Sequence, residues 1–333
     1  MKVWLPYTRG GSGSDVFTRM LVDGLRRRDI DTVEQPFAHR LQYAPWLLGR
    51  VPPPPGTDLT LANSWNGFAF KRPGIPLVTI EHLFVLDPAL SAYRSFAQGV
   101  FHKTLVAHFE RASQRVSDVQ VAVSRYTADA HHRVLGDPRP QVILNGIDTT
   151  FFTPHDQPKP TVSGRAVRLL FVGNLTHRKG VDMIAPIMQA LGDGFELRYA
   201  VGLRTTDALA SLPNATSLGR LDHDQVRNAY RDADLLLFPT RLEGLPLVAM
   251  EAMACGTPVI ASNSSSLPEV IRDGVTGRLC AQDDTAAFAN AIRELCADPE
   301  NLRRMGEAAR EDAVARFDLE RMVGEYVDLF ESL

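Results

Sequence analysis

The chain has 333 residues, of which 44% are hydrophobic and 23% are charged. This composition is typical of a globular protein, and the length is sufficient for two domains with separate cores. The formal net charge of -3 argues against a protein that binds nucleic acid by neutralising its phosphates. No nucleic-acid partner is therefore expected.

Three cysteines, Cys255, Cys280 and Cys296, lack the CxxC or Cys/His spacing of a zinc site. We interpret them as reduced core thiols of a cytoplasmic protein. The N-terminal sequence MKVWLPYT has no long apolar stretch of the kind found in signal peptides, and nowhere do about 18 apolar residues follow one another. We expect a soluble cytoplasmic protein, or one attached to the inner face of the membrane.

Short apolar segments bounded by turn residues alternate with amphipathic stretches of helical length, a pattern typical of parallel βαβ units. The predicted fold class is therefore α/β. Residues 1–152 are expected to form a first Rossmann-like domain. Its predicted helices cover 15–27 and 124–135, and its predicted strands are KVWLP, DTVEQ, LTLAN, PLVTI, VQVAV and QVILN.

Residues 153–166 read TPHDQPKPTVSGRA, a polar and proline-rich stretch that we interpret as a linker. A second Rossmann-like domain is predicted over 167–316. Its predicted helices cover 181–191, 222–232 and 245–254, and its predicted strands are VRLLFVG, ELRYAVG, ATSLG, DLLLFP and PVIA. Asp222 and Gln225 form a capping-box pattern. Residues 317–333 should form an amphipathic helix that could pack back on the N-terminal domain.

The most informative stretch is RLEGLPLVAMEAMACGTPVIAS, residues 241–262. Glu243 follows a predicted strand, and Gly244, Leu245 and Pro246 open a predicted helix with proline in its first turn. Backbone N–H groups at such a helix start suit a phosphate or a sugar hydroxyl. Glu251 lies about two turns further on, where its neighbours are mostly apolar, and a ribose diol could supply its hydrogen-bond donors. Alternatively, Glu243 caps the helix and Glu251 is a solvated helical residue.

The loop 174–180 carries Arg178 and Lys179 between a predicted strand and a predicted helix. On charge alone, two solvated surface cations would be the simpler interpretation. Their position at the carboxyl end of a strand, however, is where doubly wound sheets bind ligands.

Glu243 and Glu251 reproduce the E-x7-E motif of glycosyltransferase family 4, in the surroundings EG-P-EAMA-G-PVI. LLFVGNLTHRKGVD resembles the loop that binds the donor diphosphate in that family. VSRYTADAHHRVLG with VILNGIDTTFF resembles its interdomain stretch, and SSSLPEVIRDGVTGRL resembles the segment after the second glutamate. The resemblance covers roughly residues 119–280 and extends only loosely over the N-terminal domain.

This resemblance implies the GT-B fold, in which two Rossmann domains face each other across a cleft. It also implies a retaining, metal-independent transferase that needs no cofactor beyond a nucleotide-sugar donor. Arg178 and Lys179 would stabilise the leaving diphosphate, Glu251 would hold the ribose, and Glu243 with the N–H groups of Gly244 and Leu245 would position the sugar. The predicted donor site also includes Asn174, Gly219, Pro246 and Leu247, with Asn174 standing where many relatives have arginine.

In the N-terminal domain, RGGSGSD lacks the third glycine of a dinucleotide fingerprint, so a flexible turn is nearly as good an interpretation. The resemblance favours a loop in which Gly10 and Gly11 approach the donor phosphates. His82 follows the predicted strand PLVTI; a lone histidine is often structural, but the resemblance places a catalytic histidine here. Glu81 beside it departs from the commonest form of that motif.

Residues 96–116 are amphipathic, with Phe101, Leu105 and Phe109 predicted on one side. Packing into the N-terminal core is the favoured interpretation, and contact with a membrane surface is the alternative.

The resemblance therefore implies transfer of a sugar from a UDP- or GDP-sugar to a hydroxyl of a glycan, a lipid-linked acceptor or a small molecule. Three rival functions stay open. A glycoside hydrolase would use Glu243 and Glu251 as its carboxyl pair. The case for an NAD-dependent oxidoreductase depends only on the Rossmann-like units and the turn RGGSGSD. A non-catalytic nucleotide-sugar-binding protein would share the donor site.

Overall fold

The computed structural model describes residues 1–11, 13–157, 164–202 and 209–333. The chain divides into two compact units, one formed by Met1–Gly146 with Leu319–Leu333 and the other by Ile147–Asp318. Each unit contains a six-stranded sheet in which all neighbouring strands pair in parallel. The predicted α/β class is confirmed.

The first sheet has the strand order β2-β1-β3-β4-β5-β6, and each of its strands coincides with a predicted one. The strands are β1 (Lys2–Arg9), β2 (Asp31–Ala38), β3 (Leu59–Asn63), β4 (Leu77–Glu81), β5 (Val119–Ala122) and β6 (Gln141–Val142). The accompanying helices are α1 (Gly13–Arg27), α2 (Ser64–Gly67), α3 (Phe96–Phe101), α4 (Ala107–Val116) and α5 (Arg125–Leu135).

The second sheet has the order β12-β11-β10-β7-β8-β9. Its strands are β7 (Val167–Gly173), β8 (Phe195–Val201), β9 (Ala215–Gly219), β10 (Leu235–Phe238), β11 (Val259–Ser262) and β12 (Gly277–Cys280). Counted from β7, this is the order 3-2-1-4-5-6 of dinucleotide-binding sheets, which reverses between β7 and β10. Only β12 was not predicted, because its sequence GRLC has neither a continuous apolar run nor a clear alternation.

The helices of the second unit are α6 (Val181–Leu191), α7 (His223–Asp232), α8 (Leu247–Ala254), α9 (Leu267–Val270), α10 (Thr285–Ala297) and α11 (Pro299–Phe317). The predicted capping box is present at the start of α7: the Gln225 amide donates to the Asp222 carboxylate at 2.8 Å, and the Asp222 amide donates to the Gln225 side chain at 2.9 Å. Bonds of this type satisfy donors that a helix start otherwise leaves unpaired.

The last helix, α12 (Leu319–Glu331), belongs to the first unit. It packs on α1, where the rings of Phe17 and Tyr326 lie 6.1 Å apart and Arg27 pairs with Glu320 at 2.9 Å. Met322 and Val323 are fully buried in the same helix. The first unit is therefore built from two stretches of chain that are far apart in sequence.

The units divide after Gly146, whereas the predicted boundary was Phe152. The reason is local pairing: the Ile147 amide donates to the Phe317 carbonyl at 2.8 Å, and the buried Phe152 ring lies 6.1 Å from that of Tyr230. Both contacts lie within the second unit. Residues 158–163 of the predicted linker lie outside the described residues.

Residues 96–116 do not form one regular helix, because a π-helix (His102–Val106) separates α3 from α4. A π-turn contains an extra residue, so it rotates the following helix relative to the preceding one. Phe109 is consequently buried, whereas Leu105, predicted on the same side, is 46% exposed. Among the described residues, no helix is both long and apolar enough to cross a membrane.

All three cysteines lie in the described part of the chain, and none of them forms a disulfide. Cys255 and Cys280 are buried, and Cys296 is half-buried.

Candidate active site

Two loops meet where the second sheet reverses its strand order. One follows β7 over residues 174–180, and the other follows β10 over residues 239–246. β7 and β10 are paired neighbours, so their carboxyl ends lie side by side at the position where such sheets bind ligands. The loops are also joined directly, because the Arg241 amide donates to the Arg178 carbonyl at 2.9 Å.

Gly180 makes this approach possible. It has a left-handed φ of 72°, and a β-carbon at this position would lie 2.1 Å from the Pro239 carbonyl oxygen. A side chain at residue 180 would therefore push the two loops apart.

Arg178, Lys179 and Glu243 form one charged cluster. Lys179 Nζ lies 2.5 Å from Glu243 Oε1, and Arg178 Nη1 lies 3.5 Å from Glu243 Oε2. Thr240 Oγ1 donates to the same Oε1 at 2.6 Å, and the Glu243 amide donates to Ser265 Oγ at 3.0 Å. The structure thus brings together three of the four predicted catalytic side chains.

Burial affects the pKa of both Lys179 and Glu243, the two residues that form the closest ion pair of this cluster. It would raise the pKa of Glu243, but the charges of Lys179 and Arg178 and the hydrogen bonds from Lys179 and Thr240 hold that pKa below its ordinary value. For Lys179, burial is the largest influence and lowers the pKa, although the Glu243 charge opposes it. Lys179 Nζ also lies 5.4 Å from the centre of the Phe238 ring. The cluster combines two cations with one ionised carboxylate in a partly dry site.

Arg241 is a further residue that holds the loop 174–180 in place. Its side chain is almost fully buried and bonds to both oxygens of Asp182 at 2.7 and 2.8 Å and to Asp283 at 2.5 Å. It also donates to the His177 carbonyl. Because Asp182 lies in the first turn of α6 and His177 precedes the two cations, Arg241 ties both ends of the loop 174–180 to the loop that follows β10. No local sequence signal announces these partners, which lie 42 to 64 residues away.

The helix that carries Glu251 begins later than predicted. The predicted start was residue 245, but α8 begins at Leu247, and Pro246 is the capping residue with extended angles (φ -78°, ψ 116°). Proline disfavours helical angles in the residue before it, so Leu245 stays outside the helix. Gly244 and Leu245 therefore belong to the loop between Glu243 and α8.

Glu251 lies on α8 and is half-buried. Its Oε2 accepts a hydrogen bond from the Tyr230 hydroxyl of α7 at 2.9 Å. Burial raises the pKa of Glu251 to about 7, and the hydrogen bond from Tyr230 only partly offsets that rise. Glu251 therefore titrates in the physiological range.

Two other predicted donor residues lie on the same edge of the sheet. Asn174 directly follows β7, and its Oδ1 lies where a β-carbon on Gly202 would be only 2.2 Å away. Its side chain therefore rests on the end of β8. Gly219 ends β9, which β8 separates from β7. Gly219 is thus further from the charged cluster in strand order.

In the first unit, His82 directly follows β4. Its ring meets the Phe17 ring edge-on at a centroid distance of 4.8 Å. Burial lowers the pKa of His82 to about 4, so its imidazole is neutral at physiological pH. His82 Nε2 is buried and has no hydrogen-bond partner among the described residues.

Glu81, the residue that departs from the common motif, belongs to a buried carboxyl pair. Ser64 Oγ donates to Glu81 Oε2 at 2.9 Å and lies 3.3 Å from Glu110 Oε1. Burial raises the pKa of Glu81 to about 7. Burial and the charge of Glu81 raise the pKa of Glu110. The pair retains a proton near neutral pH and fixes the end of β4 beside His82.

The backbone amides of Gly10 and Gly11 are hydrogen-bonded within the protein. Both of their amides donate to Asp15 Oδ2, at 3.1 and 2.6 Å. A carboxylate therefore occupies the position predicted for the approach of donor phosphates. Ser12 of the same turn lies outside the described residues.

Comparison with known proteins decides the family. Residues 57–151 match the model described as Glycosyltransferase Family 4, and residues 153–312 match that described as Glycosyl transferases group 1. The chain belongs to glycosyltransferase family 4. It is 30% identical over 254 residues to an alpha-maltose-1-phosphate synthase of Mycolicibacterium smegmatis, an alignment that covers 67% of this chain and 65% of that protein.

Solved structures confirm the GT-B fold for this family 4 member. Sucrose-phosphate synthase from Thermosynechococcus elongatus superimposes with a TM-score of 0.82 at 19% identity, over 99% of this chain and 98% of that chain. Anabaena HepE in complex with UDP-glucose gives a TM-score of 0.78 at 17% identity and covers 100% of both chains. At these identities the likeness establishes the fold alone.

Proposed function

We propose that this family 4 member is a retaining glycosyltransferase that moves a sugar from a UDP- or GDP-sugar to an acceptor hydroxyl. The convergence of Arg178 and Lys179 on Glu243, at the strand-order reversal of the second sheet, carries the proposal. Negative charge builds on the diphosphate as the bond to the sugar breaks, and preorganised cations in a partly dry site stabilise it. UDP-glucose is the ligand in the HepE structure, which supports a donor of this class.

We propose the remaining roles as the resemblance to family 4 enzymes implies them. Glu251 holds the ribose through its carboxylate, and Glu243 with the N–H groups of Gly244 and Leu245 positions the sugar. His82 is neutral and acts on the transferred sugar as a hydrogen-bonding group. The contributions of Gly10, Gly11, Asn174, Gly219, Pro246 and Leu247 stay predictions.

A thermal-shift screen of UDP, GDP, ADP and their sugars tests the donor class. A ligand at 100 times its Kd adds about 2.7 kcal/mol of stability, enough for a clear change in melting temperature. A transfer assay follows with the nucleotide that binds, and NMR of the product reports its anomeric configuration. Inversion of that configuration would contradict a retaining mechanism. Release of nucleoside diphosphate that needs no acceptor would favour the hydrolase.

Glu251→Ala is expected to weaken binding of the nucleoside diphosphate by about 1–3 kcal/mol, because it leaves ribose hydroxyls without their acceptor. Isothermal titration calorimetry measures this. Glu294→Ala is the matched control, since its carboxylate lies on α10 and its side chain is 66% exposed. If both variants bind as the parent does, Glu251 is only a helical residue.

Turnover is expected to persist in EDTA, because Arg178 and Lys179 supply positive charge at the proposed diphosphate position without a metal. Initial rates with and without EDTA, and after addition of Mn²⁺ or Mg²⁺, measure this. Metal-dependent recovery of activity would show that the cations alone are insufficient.

We also propose that the acceptor is presented at a membrane surface. Six exposed large hydrophobic residues of the first unit lie in two segments that are in contact: the Tyr43 and Phe101 rings are 5.6 Å apart. The six residues, named here the apolar patch, are Tyr43, Trp46, Leu47, Phe96, Val100 and Leu105. Residues 39–57 and 88–109 contain no Asp or Glu but four Arg or Lys residues. Apolar side chains with cations and no acids suit an anionic lipid surface.

The protein should therefore co-sediment with vesicles that contain phosphatidylglycerol more strongly than with phosphatidylcholine vesicles. Replacing Trp46 and Phe96 with alanine should weaken vesicle binding about tenfold or more, because both side chains lose buried apolar area. Val314→Ala, at an exposed valine of the second unit, is the control. Equal sedimentation of parent and double variant would contradict the proposal.

A further inference from the structure

Tyr230 is the one side chain in the described part of the chain that hydrogen-bonds to the Glu251 carboxylate. It lies on α7, has no exposed surface, and donates its hydroxyl to Glu251 Oε2 at 2.9 Å. Burial and the Glu251 charge raise the pKa of Tyr230 well above its ordinary value, so this hydroxyl keeps its proton and acts as a donor to Glu251.

The Tyr230 hydroxyl is held rigidly. The Phe152 ring packs against its ring at a centroid distance of 6.1 Å, and Thr257 Oγ1 donates to the Tyr230 carbonyl at 2.6 Å. A donor fixed in this way loses little conformational entropy when it binds its acceptor. It therefore selects one orientation of the Glu251 carboxylate before any ligand arrives.

The two oxygens of Glu251 thus have different surroundings. Oε2 accepts from Tyr230, whereas Oε1 forms no hydrogen bond with the described residues. A ribose hydroxyl can donate to Oε1 and to the remaining lone pair of Oε2. This requires the ionised carboxylate, because a protonated carboxyl group would itself become a donor.

The charged and titratable groups around this carboxyl are few. Cys255 follows the last residue of α8, and Arg310 of α11 donates to the Ala254 carbonyl at 3.0 Å. Burial and the Tyr230 hydrogen bond are the influences that set the pKa of Glu251. Among these groups, only Tyr230 counteracts the rise that burial causes in the pKa of Glu251.

We infer that Tyr230 is a positioning residue for the nucleotide-sugar donor, which orients the Glu251 carboxylate so that it accepts the ribose hydroxyls. The inference rests on the proposed role of Glu251 in donor binding. Tyr230 itself touches neither the donor nor the reacting atoms in this scheme.

The test is calorimetric titration of the full-length chain with UDP-glucose or GDP-mannose, whichever binds the parent more tightly, between pH 5.5 and 8.5. Both phosphates of such a probe are esterified, so the probe itself does not titrate in this range. Parent, Tyr230→Phe, Glu251→Gln and the double variant are compared. Tyr326→Phe is the matched control, because Tyr326 is equally buried and its hydroxyl has no partner among the described residues.

We expect the parent to bind more weakly as the pH falls below about 7. Tyr230→Phe should bind about tenfold more weakly at pH 7.5, the effect of losing a hydrogen bond to a charged group, and its pH profile should move to higher pH. Glu251→Gln should show no comparable pH dependence, and adding Tyr230→Phe to it should change affinity less than twofold. Tyr326→Phe should match the parent.

Three results would overturn the inference. The first is a Tyr230→Phe profile identical to that of the parent. The second is a loss of equal size at every pH, and the third is the same loss in the Glu251→Gln background; both would mean that Tyr230 acts through folding rather than through Glu251. Failure of the parent to bind any nucleotide sugar would instead remove the proposed function. These outcomes are distinguishable in one set of titrations.

Discussion

Replacing Lys179 with alanine is expected to lower kcat by about 10²- to 10³-fold, which corresponds to about 3 kcal/mol of transition-state stabilisation. The ammonium group lies next to Glu243 and at the carboxyl end of β7, where the proposed diphosphate departs. Because the charge on the leaving group develops as the bond breaks, the loss should fall on kcat more than on KM.

Arg178→Ala should do comparable harm, because the Arg178 guanidinium points to Glu243 rather than into solvent. In the proposed function it supplies the second cation that Asn174 does not. Adding Asn174→Arg to Arg178→Ala tests whether Arg178 replaces an arginine at position 174. The double variant should recover part of the rate that Arg178→Ala loses. Arg198→Ala, on β8 and paired with Glu196, is the control. Parental turnover by Lys179→Ala would mean that this loop does not serve the diphosphate.

Arg241→Met is expected to lower the free energy of unfolding of the second unit by about 3 kcal/mol. Breaking a buried ion pair usually costs 3–5 kcal/mol, and the lower end applies because Asp182 and Asp283 are partly exposed. For a unit of this size the melting temperature should fall by about 6 to 12 °C. Activity should fall as well, because the loop that carries Arg178 and Lys179 loses the hydrogen bond from the Arg241 guanidinium to the His177 carbonyl.

Differential scanning calorimetry with and without nucleotide measures the effect of Arg241→Met. Arg241→Lys is the conservative comparison, since it keeps the charge but loses the bidentate contact with Asp182. Arg278→Met, at an arginine of the same unit that is about one-third exposed, is the control. A melting temperature within 2 °C of the parent's would contradict a structural role for Arg241.

Local sequence signals predicted the elements well because those signals act over a few residues. The limits of α6 agree at both ends, and the capping box of α7 forms as Asp222 and Gln225 indicated. The predicted start of α8 is wrong by two residues, because Pro246 disfavours helical angles at Leu245. The π-helix His102–Val106, which rotates α4 relative to α3, also could not be predicted from the spacing of apolar residues.

Contacts between distant segments were beyond what the sequence could predict. The E-x7-E spacing identified Glu243 and Glu251, but their partners Lys179 and Tyr230 lie on other elements. Arg241 looked like an ordinary charged residue until the fold placed Asp182 and Asp283 around it. Strand order determines which distant residues come into contact. It is a property of the whole sheet and cannot be predicted from the hydrophobic periodicity of single segments.

The position of α12 in the chain has a consequence for biosynthesis. Phe17, Leu21 and Leu25 of α1 are buried in the finished protein, and α12 supplies part of their cover. A ribosome makes α1 before it makes the second unit, and it makes α12 only after the second unit. The second unit can therefore fold before the first unit is complete. Until α12 packs on α1, the apolar surface of α1 stays exposed to chaperones and to aggregation.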